Sequence, residues 1–267
     1  MSDAPLIASA DGSGPFSADR GPSARSHGEL PGVVSFVRRS PRMNASQQKA
    51  LHRLAGEYLI ELPHGALSTS IAPGTRVDWG VQFGSAFAED SPIFVEIGSG
   101  TGDALVACAL THPDARIIGF EVYERALAST MSKLAAADVH NVRLMMADAV
   151  QGLESLFAEG SITRISTFFP DPWPKKRHRK RRLVSPTFAR LAAGRLAIGG
   201  EWWLATDWPD YADQMREVLD ATGGLANLYP GGNGLALRPA ERPITKFERR
   251  GLDVGRPVAD LAYRRVS

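Results

Sequence analysis

Cysteine is nearly missing from this chain: Cys108 is the single thiol in 267 residues. One thiol excludes a disulfide framework and any multi-thiolate zinc site, and it points to a reducing compartment, the cytoplasm. No metal is expected. Long apolar runs are missing as well, since none approaches the roughly 20 residues of a membrane-crossing helix. The N-terminus has neither the basic start nor the hydrophobic segment of a signal peptide, so secretion and membrane insertion are not expected. Net charge is also small, at a formal +2, which hides an uneven placement. What the chain does have is 43% hydrophobic residues, enough to bury the core of one large domain with length left for a terminal appendage.

Much of the positive charge is packed into one place. The segment FFPDPWPKKRHRKRRL, Phe168 to Leu183, joins an apolar strand end, an Asp held between two prolines, a Trp and a cationic run. Lys175, Lys176, Arg177, Arg179, Lys180, Arg181 and Arg182 are seven of the chain's 31 basic residues. Like-charge blocks are often only solvated tails. This one starts directly from a hydrophobic strand in mid-chain, and its density calls for a polyanion such as nucleic acid.

Residues 1–31 are rich in Ser, Gly, Ala, Pro and Asp and cannot bury enough surface to offset their ordering entropy, so they are read as a disordered tail, with one domain over 32–267. VVSFVRRSPR, Val33 to Arg42, reads either as an ordered basic arm or as an ordinary edge segment. A helix is expected near Ser46 to Leu59. Beyond it, IFVEIGSGTG opens an alternation: helix Gly102 to Leu110, strand RIIGFEV, helix Tyr123 to Ala136, strand VRLMMAD, helix Val150 to Phe157, strand ITRISTFFP. A helix from Pro186 to Leu196, the strand GEWWLATD, a helix from Pro209 to Leu219, and strands near Leu225 to Leu228 and Val258 to Val266 complete the series. Strands alternating with helices predict an α/β fold around a mostly parallel sheet. Trp202 and Trp203 should lie on opposite faces of that sheet.

Gly98, Gly100 and Gly102 follow the first strand at alternate positions and let backbone amides approach a nucleotide-like cofactor without Cβ interference. The dinucleotide fingerprint G-x-G-x-x-G is not met, because Asp103 holds the place of its third glycine. A Walker A loop is absent too. Glu96 lies in the first strand, Glu121 ends the second and Asp148 ends the third. Each could be a helix cap or a surface charge, but together they should converge on the crevice at the strand ends. Glu121 is placed to accept ribose hydroxyls and Asp148 an adenine amino group. Anionic walls suit a cationic cofactor without phosphates, which S-adenosylmethionine is and NAD is not.

Asp171 ends the fourth strand, with Pro170 and Pro172 fixing φ on either side. It reads as a group facing the transferable methyl, or else as a turn cap. Two readings stand open: a methyltransferase acting on an RNA base or a protein, and a non-catalytic RNA-binding scaffold. Amino-group methyltransferases tend to carry a polar residue, Pro-Pro and an aromatic here, whereas this chain has Asp between single prolines.

EIGSGTG, Asp148–Ala149, FFPDPWPKKRHRKRR, ATDW and TKFERRG, in this order, make the chain similar to the bacterial tRNA (guanine-N7-)-methyltransferases from roughly Ser35 onward. Pro174 departs from the polar residue, often His, that many members carry. The resemblance implies a Rossmann-like class I methyltransferase fold, with a mostly parallel seven-stranded sheet, the last strand antiparallel, and helices on both faces. It implies methyl transfer from S-adenosylmethionine to N7 of a guanine in the variable loop of tRNA, with tRNA as partner and no obligate protein partner. Cofactor contacts map onto Glu96, Gly98, Gly100, Gly102, Glu121, Asp148 and Ala149. The catalytic or base-positioning residue maps onto Asp171, and substrate contacts onto Lys175, Asp207, Thr245, Lys246, Phe247 and Glu248. RNA contacts map onto Arg177, His178, Arg179, Lys180, Arg181 and Arg182.

Overall fold

Apolar runs bounded by turn residues set the strands. The computed structural model describes residues 43–253 and 255–267, with the backbone alone at 246, 247 and 250. The tail at 1–31, its boundary with the domain, and the Val33–Arg42 arm lie outside the described residues. The strands are β1 (Ile93–Ile97), β2 (Arg116–Phe120), β3 (Val142–Met145), β4 (Ile162–Phe168), β5 (Leu196–Thr206), β6 (Leu225–Asn227) and β7 (Ala259–Arg265). They form one sheet in the order β3-β2-β1-β4-β5-β7-β6. The first five pair in parallel and β7 runs antiparallel to both β5 and β6, as expected. Every residue of β1 and β2 is buried, including the charged Glu96 and Arg116, as befits central strands of a parallel sheet covered on both faces.

The helices are α1 (Ala45–Tyr58), α2 (Trp79–Phe83), α3 (Asp103–Thr111), α4 (Glu124–Ala136), α5 (Ala149–Leu156), α6 (Pro186–Arg195), α7 (Pro209–Asp220) and α8 (Lys246–Asp253). Local chemistry starts several of them. Asn44 and Gln47 form a reciprocal capping box on α1, Ser185 caps α6 ahead of Pro186, and Pro209 opens α7. Side-chain alternation along the strands then divides the core in two. Val95, Ile97, Ile118 and Phe120 face α5, α6 and α7, while Phe94 and Ile117 face α1, α3 and α4. Trp202 is fully buried, with its indole Nε1 donating to Thr167 Oγ1 at 3.1 Å and its ring 5.7 Å from that of Phe188. Trp203 lies half-buried on the other face, as the alternation requires.

Three details differ from the expectation. β5 begins at Leu196, directly after α6, and its register with β4 slips between Ile162 and Arg164, so Leu196–Gly199 belong to a strand that was expected to begin at Gly200. α2, α8 and a short 3₁₀ turn over Lys176–Arg181 were not foreseen, because the first two are too short to show a clear helical period and the turn holds no apolar residue at all. No helix among the described residues is long and apolar enough to cross a membrane.

Candidate active site

The glycine turn after β1 forms the floor. Gly98, Gly100 and Gly102 all have left-handed φ, of 72°, 54° and 78°. The amides of Gly98 and Ser99 donate to the Phe120 carbonyl at 2.9 and 3.0 Å, which ties the turn to the end of β2. Glu121 comes next in that strand. Its Oε2 accepts from the Gly100 amide at 2.8 Å, and its Oε1 accepts from the amides of Val122 (2.7 Å) and Tyr123 (2.9 Å). Burial pushes the Glu121 carboxyl pKa up; the three amides act against that, and the charge of Asp171 adds to it.

Above this floor opens a cleft of about 360 Å³. Gly98, Gly100, Phe120, Ala149 and Val150 line one side, and Phe168, Phe169, Asp171 and Trp173 the other. Its charged lining residues are Glu121, Asp171 and Arg181, a net negative set. Asp171 is exposed at the rim. Its loop is strained: Phe169 and Trp173, both bulky, hold φ of 53° and 43° on either side of Pro170-Asp171-Pro172. Left-handed backbone at such residues costs about 1–2 kcal/mol each and persists only where surrounding contacts impose it.

The three acidic strand ends do not converge as expected. Glu121 lines the cleft, but Glu96 and Asp148 do not. Glu96 alternates with Ile97 along β1, so its side chain points to the opposite face of the sheet, where it borders a small void with Cys108, Arg164 and Trp203. Burial first, then the charges of Glu121 and Asp103, push its pKa up to about 8. Asp148 is the N-cap of α5, its Oδ1 accepting from the amides of Val150 (2.9 Å) and Gln151 (3.2 Å). Gly102 likewise serves packing: a Cβ there would lie 2.4 Å from Thr130 Cγ2.

The basic run is divided by burial. Lys175, Arg177, Arg179 and Lys180 are exposed on and beside the 3₁₀ turn. Arg181 stacks 5.0 Å over the Trp173 ring and His178 meets that ring edge-on at 5.9 Å, so both brace the cleft wall. Arg182, expected on the RNA-facing surface, is buried at 1% exposure. Its Nε donates to the Pro172 carbonyl at 2.7 Å and its Nη1 to Gln214 Oε1 at 2.7 Å; Nη2 pairs with Asp210, and the guanidinium lies 4.7 Å over Tyr211. Nothing in a run of like charges marks which one turns inward. That depends on α7, which supplies Asp210, Tyr211 and Gln214.

Of the remaining sequence-predicted residues, Asp207, Thr245 and Glu248 lie near the ends of β5 and β7 and do not line the cleft. Asp207 is buried with Arg256 Nη1 2.9 Å from its Oδ2, an ion pair without hydrogen-bond alignment. The Thr245 hydroxyl accepts from the Glu248 amide at 3.1 Å, at the start of α8. The side chains of Lys246 and Phe247 lie outside the described residues. Glu248 was expected to contact the substrate; its carboxylate is buried against Arg242 Nη1 (3.0 Å) and Arg238 Nε (3.3 Å). Arg242 also grips Asp260 on β7 at 2.9 and 3.2 Å and lies 5.4 and 5.3 Å over the rings of Phe168 and Phe169. Sequence reading missed Arg242 and Asp260; the local signal for Asp260 is a carboxylate second in β7, ahead of Leu261–Tyr263, and Arg242 carries none.

Residues 90–261 match the methyltransferase family described as "Putative methyltransferase". The tRNA (guanine-N(7)-)-methyltransferase of Cutibacterium acnes is 52% identical, over 88% of this chain and 84% of that protein. The chain belongs to the tRNA (guanine-N(7)-)-methyltransferase family. The member from Nocardioides sp. is 45% identical over 87% of each chain, and that from Methylococcus capsulatus 45% over 87% of this chain and 94% of its own. Among solved structures the fold is similar to the 16S rRNA methyltransferase KamB, with a TM-score of 0.49 and 18% identity over 70% of this chain and 92% of that one. As a family member the protein is a methyltransferase.

Proposed function

We propose that this enzyme transfers the methyl group of S-adenosylmethionine to N7 of a guanine in the variable loop of tRNA, in the cytoplasm. The observation that carries the reading is the shared cleft of Glu121 and Asp171, with a basic 3₁₀ turn starting at its rim. The cleft fits the cofactor: its volume lies in the range of small-molecule sites, about 300–1,000 Å³. Apolar Phe120, Ala147 and Val150 suit an adenine ring, and a net negative lining suits a sulfonium and an ammonium. When bound, S-adenosylmethionine supplies an electrophilic methyl group.

The chain's own residues then have three tasks. The Gly98 and Gly100 backbone and Glu121 hold the cofactor, Glu121 accepting ribose hydroxyls with the lone pairs its amide bonds leave over. Guanine N7 carries a lone pair and no proton, so no base is needed at that atom, and orienting the ring dominates. Asp171 accepts hydrogen bonds from the guanine's opposite edge, and the strained, proline-fixed loop limits its freedom to do anything else. Lys175, Arg177, Arg179 and Lys180 contact tRNA phosphates. Asp207 and Thr245 act from the neighbouring strand ends.

The test is incubation with labelled S-adenosylmethionine and unmodified tRNA, followed by nucleoside digestion. Label in 7-methylguanosine from the variable loop is expected, and label in any other nucleoside overturns the reading. Asp171→Ala should keep cofactor affinity and lose at least about a hundredfold in turnover.

A further inference from the structure

Two arginines that do not line the cleft are buried on either side of the Asp171 loop. Arg182 and Arg242 are 1% and 2% exposed. Each spends a planar, multi-donor guanidinium on several partners at once, which lysine cannot reproduce. Arg182 reaches the loop after Asp171, through its 2.7 Å bond to the Pro172 carbonyl, and is anchored on α7 by Asp210 and Gln214. Arg242 reaches the loop before Asp171, lying over the rings of Phe168 and Phe169, and is anchored by Asp260 and Glu248. Pro170 and Asp171 lie between the two grips, with left-handed Phe169 under the Arg242 guanidinium and left-handed Trp173 directly after the Pro172 carbonyl that Arg182 holds. A strained loop relaxes unless its surroundings impose the strain, and Arg182 and Arg242 brace it from both ends, beside Arg181 over the Trp173 ring.

We infer that Arg182 and Arg242 are positioning residues that clamp the Phe169–Trp173 loop from opposite sides and so hold Asp171 at the cleft rim. Their effect on the reaction rests on the role proposed for Asp171; their effect on the loop does not. Arg182 is thereby removed from the phosphate-binding set. The clamp also links the loop to α7 on one side and to α8 and β7 on the other, so the two halves of the substrate region are set by one shared backbone segment.

The experiment compares Arg182→Lys and Arg242→Lys with wild type, and adds Asp210→Asn and Asp260→Asn, which keep both arginines and loosen their anchors; Asp210 also pairs with Arg179 at 2.7 Å, so tRNA affinity is compared in the other three variants only. Hydrogen exchange at the amides of Phe169, Asp171 and Trp173 should speed up at least tenfold in the lysine variants and several-fold in the anchor variants. Cofactor affinity, and tRNA affinity with its salt slope, should stay within twofold, while the single-turnover methyl-transfer rate falls at least tenfold. Unchanged exchange at Asp171 and Trp173 in folded variants overturns the clamp, whatever the reaction proves to be. A fall in cofactor affinity in step with the rate overturns it also, since that marks general loss of structure. Should a lysine variant fail to fold, its anchor variant decides. Wild type producing no 7-methylguanosine would defeat the functional reading and leave the exchange result standing.

Discussion

Glu121 Oε2 accepts the Gly100 amide at 2.8 Å, so the carboxylate at the end of β2 both faces the cleft and holds the glycine turn that floors it. A charged acceptor of this kind contributes about 1.5–3 kcal/mol per bond. Glu121→Gln should therefore raise the cofactor dissociation constant roughly ten- to a hundredfold, measured by calorimetric titration, with the fold retained by circular dichroism.

Neighbouring positions in the basic run should separate cleanly. Replacing exposed Arg177 and Lys180 by Gln should weaken tRNA binding and lower the slope of log K against log salt by roughly one per lost phosphate contact, without moving Tm. Arg182→Met should instead destabilise the protein by roughly 2–3 kcal/mol in denaturant titration. That figure is discounted because its partner Asp210 is 40% exposed.

Glu96 gives the apo-protein a pH dependence of unusual sign. Its folded pKa of about 8 lies above the ordinary 4.5, so between those values the folded state keeps a proton that the unfolded state has lost. Stability therefore falls as pH rises through that window. Glu96→Gln should match wild-type Tm near pH 5 and exceed it by several degrees above about pH 8; parallel melting curves across the range would remove the carboxyl from this role.

The glycines of the turn should differ in cost. At Gly102, alanine meets both a φ of 78° and Thr130 at 2.4 Å, and should cost about 2–4 kcal/mol. At Gly98, with φ of 72° but nothing within 4 Å, alanine should cost about 1–2 kcal/mol of backbone strain alone. Chemical denaturation of the two variants gives the comparison.

The amino-acid sequence alone determined the alternation of strands and helices, the glycine turn and the proline-fixed Asp171. Those features follow from apolar period, φ limits and capping, which act within a few residues of one another. Only the tertiary structure decided which charges turn inward: Arg182 pairs with a residue 28 positions away, Arg242 with one 18 away, and Glu96 faces away from the cleft that Glu121 lines. A side chain's burial depends on what packs over it, and two segments far apart in the chain carry no local mark of their meeting.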